Sequence, residues 1–418
     1  MAKVVGPGLI FASMAIGVSH LVQSTRAGAN YGFSLLWVIV AANIFKYPFF
    51  EYASRYASAT GESLIDGYNR LGKGPLWIYF FVTLGSMFFV MGAVGFVTVG
   101  FLDNLLGLSG LFPSFQLFPT VLLFGVCTSI LFLGKYAILD NIIKVIGVVL
   151  VVSTLIAFVL TIIHGPVEKI PGFVPNDPFS DNGIIFIIAL MGWMPTAVDM
   201  SSWSSLWTIE KIKTTGYHPS LKETVIEFNI GYWVAAVLSL CFLTLGAFLM
   251  YGTGVTMSDG SADFANQVVT LYTSTIGEWS HIIISASSFS IMFGTSIAVF
   301  DGYARALERT VELAFLSEEE STQALQSSKM YNISLAVLAI GAFLLIVLFL
   351  QHFKLLIDIA MTISFLIAPI IAIANTVLVS KKYVPEEAVP PRCMLWLSYC
   401  GIVFLTGFAL FFLYTRLF

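Results

Sequence analysis

The feature that most constrains this chain is a series of apolar stretches, each long enough to cross a lipid bilayer as a helix. A spanning helix needs about 20 predominantly apolar residues. Eleven such stretches lie at 7–30, 33–53, 76–102, 115–134, 140–164, 183–207, 224–251, 279–304, 330–351, 355–379 and 393–415. Because a spanning helix satisfies its own backbone hydrogen bonds in lipid, this pattern predicts an all-α membrane protein with eleven transmembrane helices.

The composition excludes most soluble functions. Of the 418 residues, 58% are apolar and 11% are charged, whereas a soluble domain carries roughly 25% charge. The net charge of −4 is small and no basic tract is present, so a nucleic-acid partner is not expected. No zinc-binding or nucleophile motif indicates an enzyme. The lipid bilayer is the expected partner, and a monomer is expected to suffice.

The lysine and arginine residues predict the orientation, because cytoplasmic loops carry an excess of them. With a cytoplasmic N-terminus and alternating spans, fourteen of the twenty fall on the cytoplasmic side. The outer side receives Lys169, Lys354 and Arg416. We therefore expect a multi-pass protein of a plasma or bacterial inner membrane, with its N-terminus cytoplasmic and its C-terminus outside.

Two predicted spans contain helix-breaking residues at corresponding places. Span 1 reads Ala-Ile-Gly-Val-Ser-His at 15–20, and span 6 reads Met-Gly-Trp-Met-Pro-Thr at 191–196. One glycine or proline alone is explained by close helix packing or by a kink. Because the two spans are five apart, the paired interruptions instead predict a transporter's substrate site near the bilayer midplane, between two five-helix halves.

Several motifs are specific enough for comparison with known transporters. Gly-Pro-Gly at 6–8 precedes the first break, and Ala-Gly-Ala-Asn-Tyr-Gly-Phe-Ser-Leu-Leu-Trp at 27–37 follows it. Span 6 has Met-Pro at 194–195, and span 8 has Gly-Thr at 294–295 with Asp-Gly at 301–302. Together these motifs resemble the Nramp family of divalent-metal transporters, which take up manganese or iron coupled to protons.

The resemblance implies a LeuT-like fold, a 5+5 inverted repeat with broken helices 1 and 6. Residues 1–164 would form the first five-helix repeat and residues 165–379 the inverted second repeat. Residues 380–418 would supply an additional helix. The substrate would then cross the membrane by alternating access between the two halves.

The break itself differs from the pattern that the resemblance implies. Where the family has Asp-Pro-Gly-Asn, positions 17–20 read Gly-Val-Ser-His, so both metal-binding side chains are missing. Met194 matches the family's methionine, whereas Thr196 replaces the histidine that follows it. Ser201 stands where the family has a second histidine, and Ser364 stands where it has a glutamine that assists metal binding.

Two substrate classes remain open from these residues. One is a divalent metal of the manganese or iron type, held by a rebuilt site of His20, Met194 and Asp199. The other is a small oxyanion such as bicarbonate, coupled to sodium or protons and bound by half-helix amides. Arg26 would add positive charge, although it equally suits snorkelling to water. We expect the oxyanion, with substrate-binding residues Gly17, Ser19, His20, Gln23, Met194, Thr196, Asp199 and Ser364.

The coupling ion is predicted to be sodium or a proton, and no other cofactor is expected. Span 8 carries Ser287, Ser288, Thr295 and Ser296. In LeuT-like folds, span 8 hydroxyls and carbonyls of the first break hold a sodium ion, although such hydroxyls also let membrane helices pack closely. His20 is the candidate for proton coupling because imidazole changes its charge near neutral pH.

Charged residues inside spans are expected to have a role. Lys46 and Glu51 lie around Pro48 near the inner end of span 2, and we interpret them as a structural or gating pair. Asp358 lies early in span 10, where we expect it to line an outer vestibule.

Overall fold

In the computed structural model the chain is almost wholly helical; residues 6–417 are described, except 112–116, 256, 259, 317–328 and 351. The α-helices are α1 (Pro7–Ala15), α2 (Thr25–Tyr31), α3 (Leu36–Thr60), α4 (Leu64–Leu71), α5 (Lys73–Leu106), α6 (Leu108–Leu111), α7 (Phe118–His164), α8 (Asp181–Trp193), α9 (Ser201–Thr215), α10 (Leu221–Leu249), α11 (Ser261–Ile276), α12 (His281–Phe315), α13 (Lys329–Leu348), α14 (Phe353–Leu378) and α15 (Arg392–Leu417). Ser19–Ser24 is π-helical, and short 3₁₀ turns lie at Val198–Met200, Glu278–Ser280 and Glu386–Ala388.

Within the described residues, eight helical segments are long and apolar enough to cross a membrane. They are Pro7–Tyr31, Lys73–Leu106, Asp181–Thr215, Leu221–Leu249, Glu278–Phe315, Lys329–Leu348, Lys354–Leu378 and Arg392–Thr415. These segments correspond to the predicted spans 1, 3 and 6–11, and the predicted span 2 falls on the more polar α3. The protein is therefore an all-helical, multi-pass membrane protein, and the exact count of eleven stays a prediction.

The predicted spans 4 and 5 lie in one helix rather than two. The helix α7 runs without interruption for 47 residues. Its two ends are apolar, at Phe118–Leu133 and Val151–His164. Proline is the residue that most reliably ends a helix, and none lies between residues 120 and 164. The structure thus differs from the predicted pair of separate spans at this point.

The first and sixth spans lie at the centre of the molecule. In the most apolar window of Pro7–Tyr31, 94% of the residues are buried, and the corresponding share for Asp181–Thr215 is 89%. The share falls to 33% in Lys329–Leu348 and 28% in Arg392–Thr415. Exposed apolar side chains on these outer helices suit contact with lipid, so the two central spans are the ones placed to enclose a site.

The helix α10 holds the first span in place. Glu227 accepts hydrogen bonds from the backbone N–H groups of Gly6 and Gly8 at 2.9 and 2.8 Å. Further along, a Cβ on Gly28 would lie 2.1 Å from the Leu243 carbonyl oxygen. Small residues at such contacts let two membrane helices approach closely. The position of the first span is thus set by direct backbone contact with α10.

Candidate functional site

The first span leaves α-helical geometry at Ile16 and Gly17. The helix α1 ends at Ala15, and the chain resumes as the π-helical turn Ser19–Ser24 before α2 begins. A Cβ on Gly17 would lie 2.6 Å from the Thr295 side chain of α12. Residues 16–17, the first irregular stretch, therefore pass so close to α12 that a larger residue at position 17 would have to displace the Thr295 side chain.

The second irregular stretch adjoins the first. Residues 194–197 connect α8 to the 3₁₀ turn that leads into α9. The Ser19 hydroxyl lies 2.6 Å from the Ala15 carbonyl oxygen and 3.1 Å from the Pro195 carbonyl oxygen. Because Ala15 ends α1 and Pro195 lies in the second stretch, this one hydroxyl joins the two.

Lys46 of α3 reaches the carbonyl end of α8. Its Nζ atom donates to the carbonyl oxygens of Met191 at 2.5 Å, Gly192 at 2.8 Å and Thr196 at 3.1 Å. The side chain is fully buried. The carbonyls in the last turn of a helix have no intrahelical partner and carry the negative end of its dipole. A positive charge therefore already lies on the carbonyls beside the second irregular stretch.

The sequence-based pairing of Lys46 with Glu51 was wrong. Glu51 instead pairs with Arg55, at 2.5 Å between Oε1 and Nη2. The sequence signalled only that a lysine lies inside a span. Which carbonyls it contacts depends on how α3 packs against α8, and hydropathy carries no information about that.

Asp199 lies in the 3₁₀ turn and is 4% exposed. Within the described structure its Oδ1 atom has no hydrogen-bond partner. Its charge and that of Lys46 are close enough to interact. Ser202 donates to the Asp199 backbone carbonyl at 3.1 Å, and the Tyr79 hydroxyl lies 2.6 Å from Ser202 Oγ. A buried carboxylate oxygen without a partner is costly. Asp199 is therefore a candidate cation ligand, although Glu312 also has an unpartnered buried carboxylate oxygen, outside this site.

His20 points away from Asp199 and Met194. Its Nε2 atom donates to the Ala235 carbonyl oxygen of α10 at 2.8 Å, and its Nδ1 atom lies 2.7 Å from Ser19 Oγ. Both ring nitrogens are therefore engaged. Within the described residues, no group of three or more His, Cys, Asp or Glu side chains is placed to hold a metal. The structure does not assemble the predicted metal set of His20, Met194 and Asp199.

Gln23 and Arg26 form a polar cluster with α14. Arg26 donates to Asp358 Oδ1 at 2.9 Å and to Gln23 Oε1 at 2.8 Å. Gln23 Nε2 donates to Asp358 Oδ1 at 3.0 Å and contacts the Met361 sulfur at the same distance. The Arg26 side chain is 8% exposed and that of Asp358 is 26% exposed. Arg26 is thus committed to an ion pair, and Asp358 ties α14 to the first span.

The remaining predicted substrate residues surround the second irregular stretch. Ser364 accepts a hydrogen bond from Trp193 Nε1 at 3.0 Å and donates to the Ala360 carbonyl oxygen. Met194 is fully buried at the end of α8, and Thr196 Oγ1 lies 3.4 Å from the Met200 sulfur.

A cavity of about 10 Å³ lies between the two irregular stretches. Its lining includes Ser19, Trp193, Thr196, Met200 and Thr295. That volume is about the room that a single water molecule needs. Seven of its ten lining residues are apolar, and Asp199 is not part of the lining. In this conformation the space is too small for a larger organic substrate.

The four hydroxyls predicted to bind a coupling ion do not converge on one point. Thr295 donates to the Ser13 carbonyl oxygen of α1 at 2.7 Å. Ser296 Oγ lies 2.7 Å from Thr98 Oγ1 of α5. Ser287 and Ser288 are buried about 10 Å back along α12, given a rise of about 1.5 Å per residue. Of the four, Thr295 is the one that touches the first irregular stretch.

Solved structures share this architecture. A mutant of the manganese transporter of Eremococcus coleocola matches with a TM-score of 0.68 at 13% identity, covering 97% of this chain and 85% of that one. Mhp1, a nucleobase-cation-symport-1 family transporter, matches with a TM-score of 0.59 at 13% identity, covering 97% and 92%. These matches show a shared fold, a bundle of membrane-spanning helices.

Sequence comparison places the chain within one family of such transporters. The sequence model of the natural resistance-associated macrophage protein-like family, Nramp, matches residues 8–415. An uncharacterized protein of Pasteurella multocida is 34% identical over 410 residues, which cover 98% of this chain and 91% of that protein. The divalent metal cation transporter MntH of Staphylococcus saprophyticus is 24% identical over 273 residues, 62% of this chain and 59% of the relative. The chain belongs to the Nramp family.

Proposed function

We propose that this Nramp-family chain is a secondary active transporter for a small inorganic cation of the divalent-metal class. The observation that carries the proposal is the buried Asp199 carboxylate, whose Oδ1 atom has no hydrogen-bond partner in the described structure. It lies beside the second irregular stretch, where a transporter of this fold binds its substrate. The chain is similar to proteins named divalent metal cation transporters and to a manganese transporter.

The geometry supports a cation better than the oxyanion expected from the sequence. An oxyanion needs hydrogen-bond donors and positive charge. Arg26 is paired with Asp358, and all three ammonium donors of Lys46 are directed to backbone carbonyls. His20 is engaged by Ser19 and Ala235. The groups that would hold bicarbonate therefore already have partners.

The acceptors around the stretches form a set that suits a hard cation. Divalent cations such as Mn²⁺ and Mg²⁺ prefer carboxylate, carbonyl and hydroxyl oxygens. We infer that Asp199 would supply the carboxylate. The Pro195 carbonyl and the hydroxyls of Ser19 and Thr196 are the nearby oxygens that would turn towards the cation, once Ser19 releases Pro195. A site with one carboxylate differs from the Nramp pattern of two acidic or amide side chains at the first break, so we infer a rebuilt site.

The finer architecture belongs to the same proposal. We infer a LeuT-like inverted repeat with broken helices 1 and 6, comprising residues 1–164 and 165–379, with residues 380–418 as an added helix. The meeting of the two irregular stretches at Ser19 supports this arrangement. The count of eleven spans stays a prediction, since it requires the chain to turn where α7 runs as one helix. His20 and Thr295 remain the candidates for proton and sodium coupling respectively.

Flux into proteoliposomes tests the proposal directly. The purified chain is reconstituted, and manganese uptake is compared with bicarbonate uptake, each with and without a sodium or proton gradient. We expect saturable manganese uptake that one of the gradients accelerates. Bicarbonate flux without manganese flux would contradict the proposal and restore the oxyanion.

The Asp199→Asn variant tests the residue that carries the argument. Asparagine keeps the shape of the side chain and removes its charge, so manganese uptake is expected to fall by at least about tenfold, which corresponds to about 1.4 kcal/mol of binding. Glu168→Gln, which removes one negative charge from an exposed loop, is the matched control. Equal uptake by the two variants at subsaturating manganese would exclude Asp199 as the ligand.

A further inference from the structure

Lys46 occupies the carbonyls that a transported cation is expected to use. In transporters with broken helices, cations are coordinated by the backbone carbonyls at the C-terminal ends of half-helices and in the unwound segments. In this chain two such carbonyls come from the last turn of α8, at Met191 and Gly192, and one from Thr196. An ammonium group has three donors, so the three carbonyls satisfy it completely.

Bonding the last carbonyls of α8 does not by itself require a buried charge. Other helices of the chain end with neutral partners. The helix α9 ends at Gly216, whose φ of 64° lets its backbone N–H bond the Ile212 carbonyl, and α3 ends in the same way at Gly61. Burying an ammonium is expensive unless it is paired. The lysine therefore brings something that a neutral cap would lack, namely a positive charge.

Asp199 is a carboxylate near Lys46 whose Oδ1 atom Lys46 does not bond. Asp199 lies three residues beyond Thr196, whose carbonyl Lys46 bonds, yet the ammonium bonds the three carbonyls and leaves Asp199 Oδ1 without a partner. The site therefore places a buried ammonium near a buried carboxylate without a direct hydrogen bond to its Oδ1 atom. The flexible four-carbon stem of lysine lets its ammonium leave the carbonyls without unfolding α3.

We propose that the Lys46 ammonium is a tethered substitute for the transported cation, which takes the carbonyls of Met191, Gly192 and Thr196 whenever no substrate cation is bound. This inference rests on the proposed cation transport. A carrier must return unloaded after each delivery, and the central site must then close without leaving carbonyls and a carboxylate uncompensated in lipid. Lys46 compensates the three carbonyls by hydrogen bonds and the carboxylate by its nearby positive charge, although it does not bond Asp199 Oδ1. An entering cation displaces it.

The proposal separates two kinds of flux. Net uptake requires the unloaded carrier to return, a step that depends on Lys46. Exchange of manganese inside for manganese outside uses only the loaded carrier, in which the substrate itself holds the carbonyls. Removing the ammonium should therefore slow net uptake selectively.

The test measures both fluxes in the same proteoliposomes for the unaltered chain and for Lys46→Met. Net uptake starts from manganese-free vesicles, and exchange is followed with labelled manganese outside vesicles preloaded with unlabelled manganese. We expect net uptake to fall by at least about tenfold in Lys46→Met while exchange stays within about threefold of the unaltered chain. Lys382→Met, which removes an exposed lysine from a connecting loop, should change neither flux.

Two outcomes overturn the inference, and a third overturns the function on which it rests. If Lys46→Met leaves net uptake unchanged, the ammonium is not needed for the return step. If it abolishes both fluxes, Lys46→Gln is measured, since glutamine keeps two N–H donors without the charge. Equal loss of both fluxes in both variants would make the lysine a fixed part of the site. Absence of all manganese flux in the unaltered chain would instead refute the proposed function.

Discussion

At the scale of single residues, Gly192 shows how tightly the site is packed. A Cβ at this position would lie 2.1 Å from the Met361 carbonyl oxygen of α14. Gly192→Ala must therefore push α8 away from α14, and overpacking of this kind costs about 1–3 kcal/mol. We expect a lower thermal unfolding temperature in detergent. We also expect reduced manganese uptake, because the Gly192 carbonyl bonds Lys46 and is one of the three carbonyls proposed to receive the transported cation.

The matched control for this substitution is Gly85→Ala in α5. Gly85 is also helical, and nothing lies within 4 Å of its added Cβ. Alanine should leave the unfolding temperature unchanged or raise it slightly, because glycine is the weaker helix former. A similar loss of stability in both variants would refute the close approach of α8 and α14.

Residue types in the site were predictable, whereas side-chain directions were not. The sequence identified Ser19, His20, Thr196 and Asp199 around the two interruptions. It did not predict that His20 would turn towards α10. The π-helical turn Ser19–Ser24 is one reason, because its i→i+5 bonding changes which residues share a face compared with an α-helix. Sequence patterns that assume an α-helical period fail through such a turn.

At the scale of elements, the Arg26–Asp358 ion pair ties α2 to α14. Its two side chains are largely buried, so the pair should contribute more than an exposed one, about 1 kcal/mol. We expect Arg26→Met and Asp358→Asn each to lower the unfolding temperature. The double variant should lose little more than either single variant, because the second substitution removes a group that has already lost its partner.

The exposed Lys381–Glu386 pair provides the comparison. Its side chains are 72% and 83% exposed, and exposed pairs contribute little. If Lys381 and Glu386 are substituted singly and together in the same way, the effects on the unfolding temperature should simply add. Additive losses at Arg26 and Asp358 would mean that each residue acts separately and that α2 and α14 are not held together by their charges.

Helix positions were predictable where hydropathy alone decides them. The eight segments that are long and apolar enough to span a membrane each lie on a predicted span. The departure is α7, where two predicted spans form one helix. A hydropathy pattern detects apolar length and has no means of detecting whether the backbone turns between two apolar runs, unless a proline or a turn sequence marks that point.

At the scale of the whole molecule, the family and the general fold followed from the sequence, while the substrate class did not. The motifs around both interruptions point to Nramp, and the match over residues 8–415 agrees. The missing acid at positions 17–20 pointed to an anion. The proposal of a cation in its place depends on long-range contacts, since Arg26 pairs with a residue 332 positions away and Lys46 bonds carbonyls about 145 positions away. Sequence spacing does not encode such pairings.

The parity of the spans makes a last prediction about the whole molecule. An odd number of crossings places the two ends on opposite sides of the membrane. Lys381 and Lys382 precede the final helix α15 and Arg392 is its first residue, and the positive-inside tendency places all three in the cytoplasm. The chain beyond α15 should then lie outside.

A protease-cleavable tag tests this orientation in intact cells. A tag fused to the C-terminus is expected to be cut from outside, whereas the same tag at the N-terminus should be protected until the membrane is opened. Cleavage or protection of both tags together would show an even number of crossings, and the two apolar ends of α7 would then be the segments to reassign, because they are the place where the structure departs from the predicted spans.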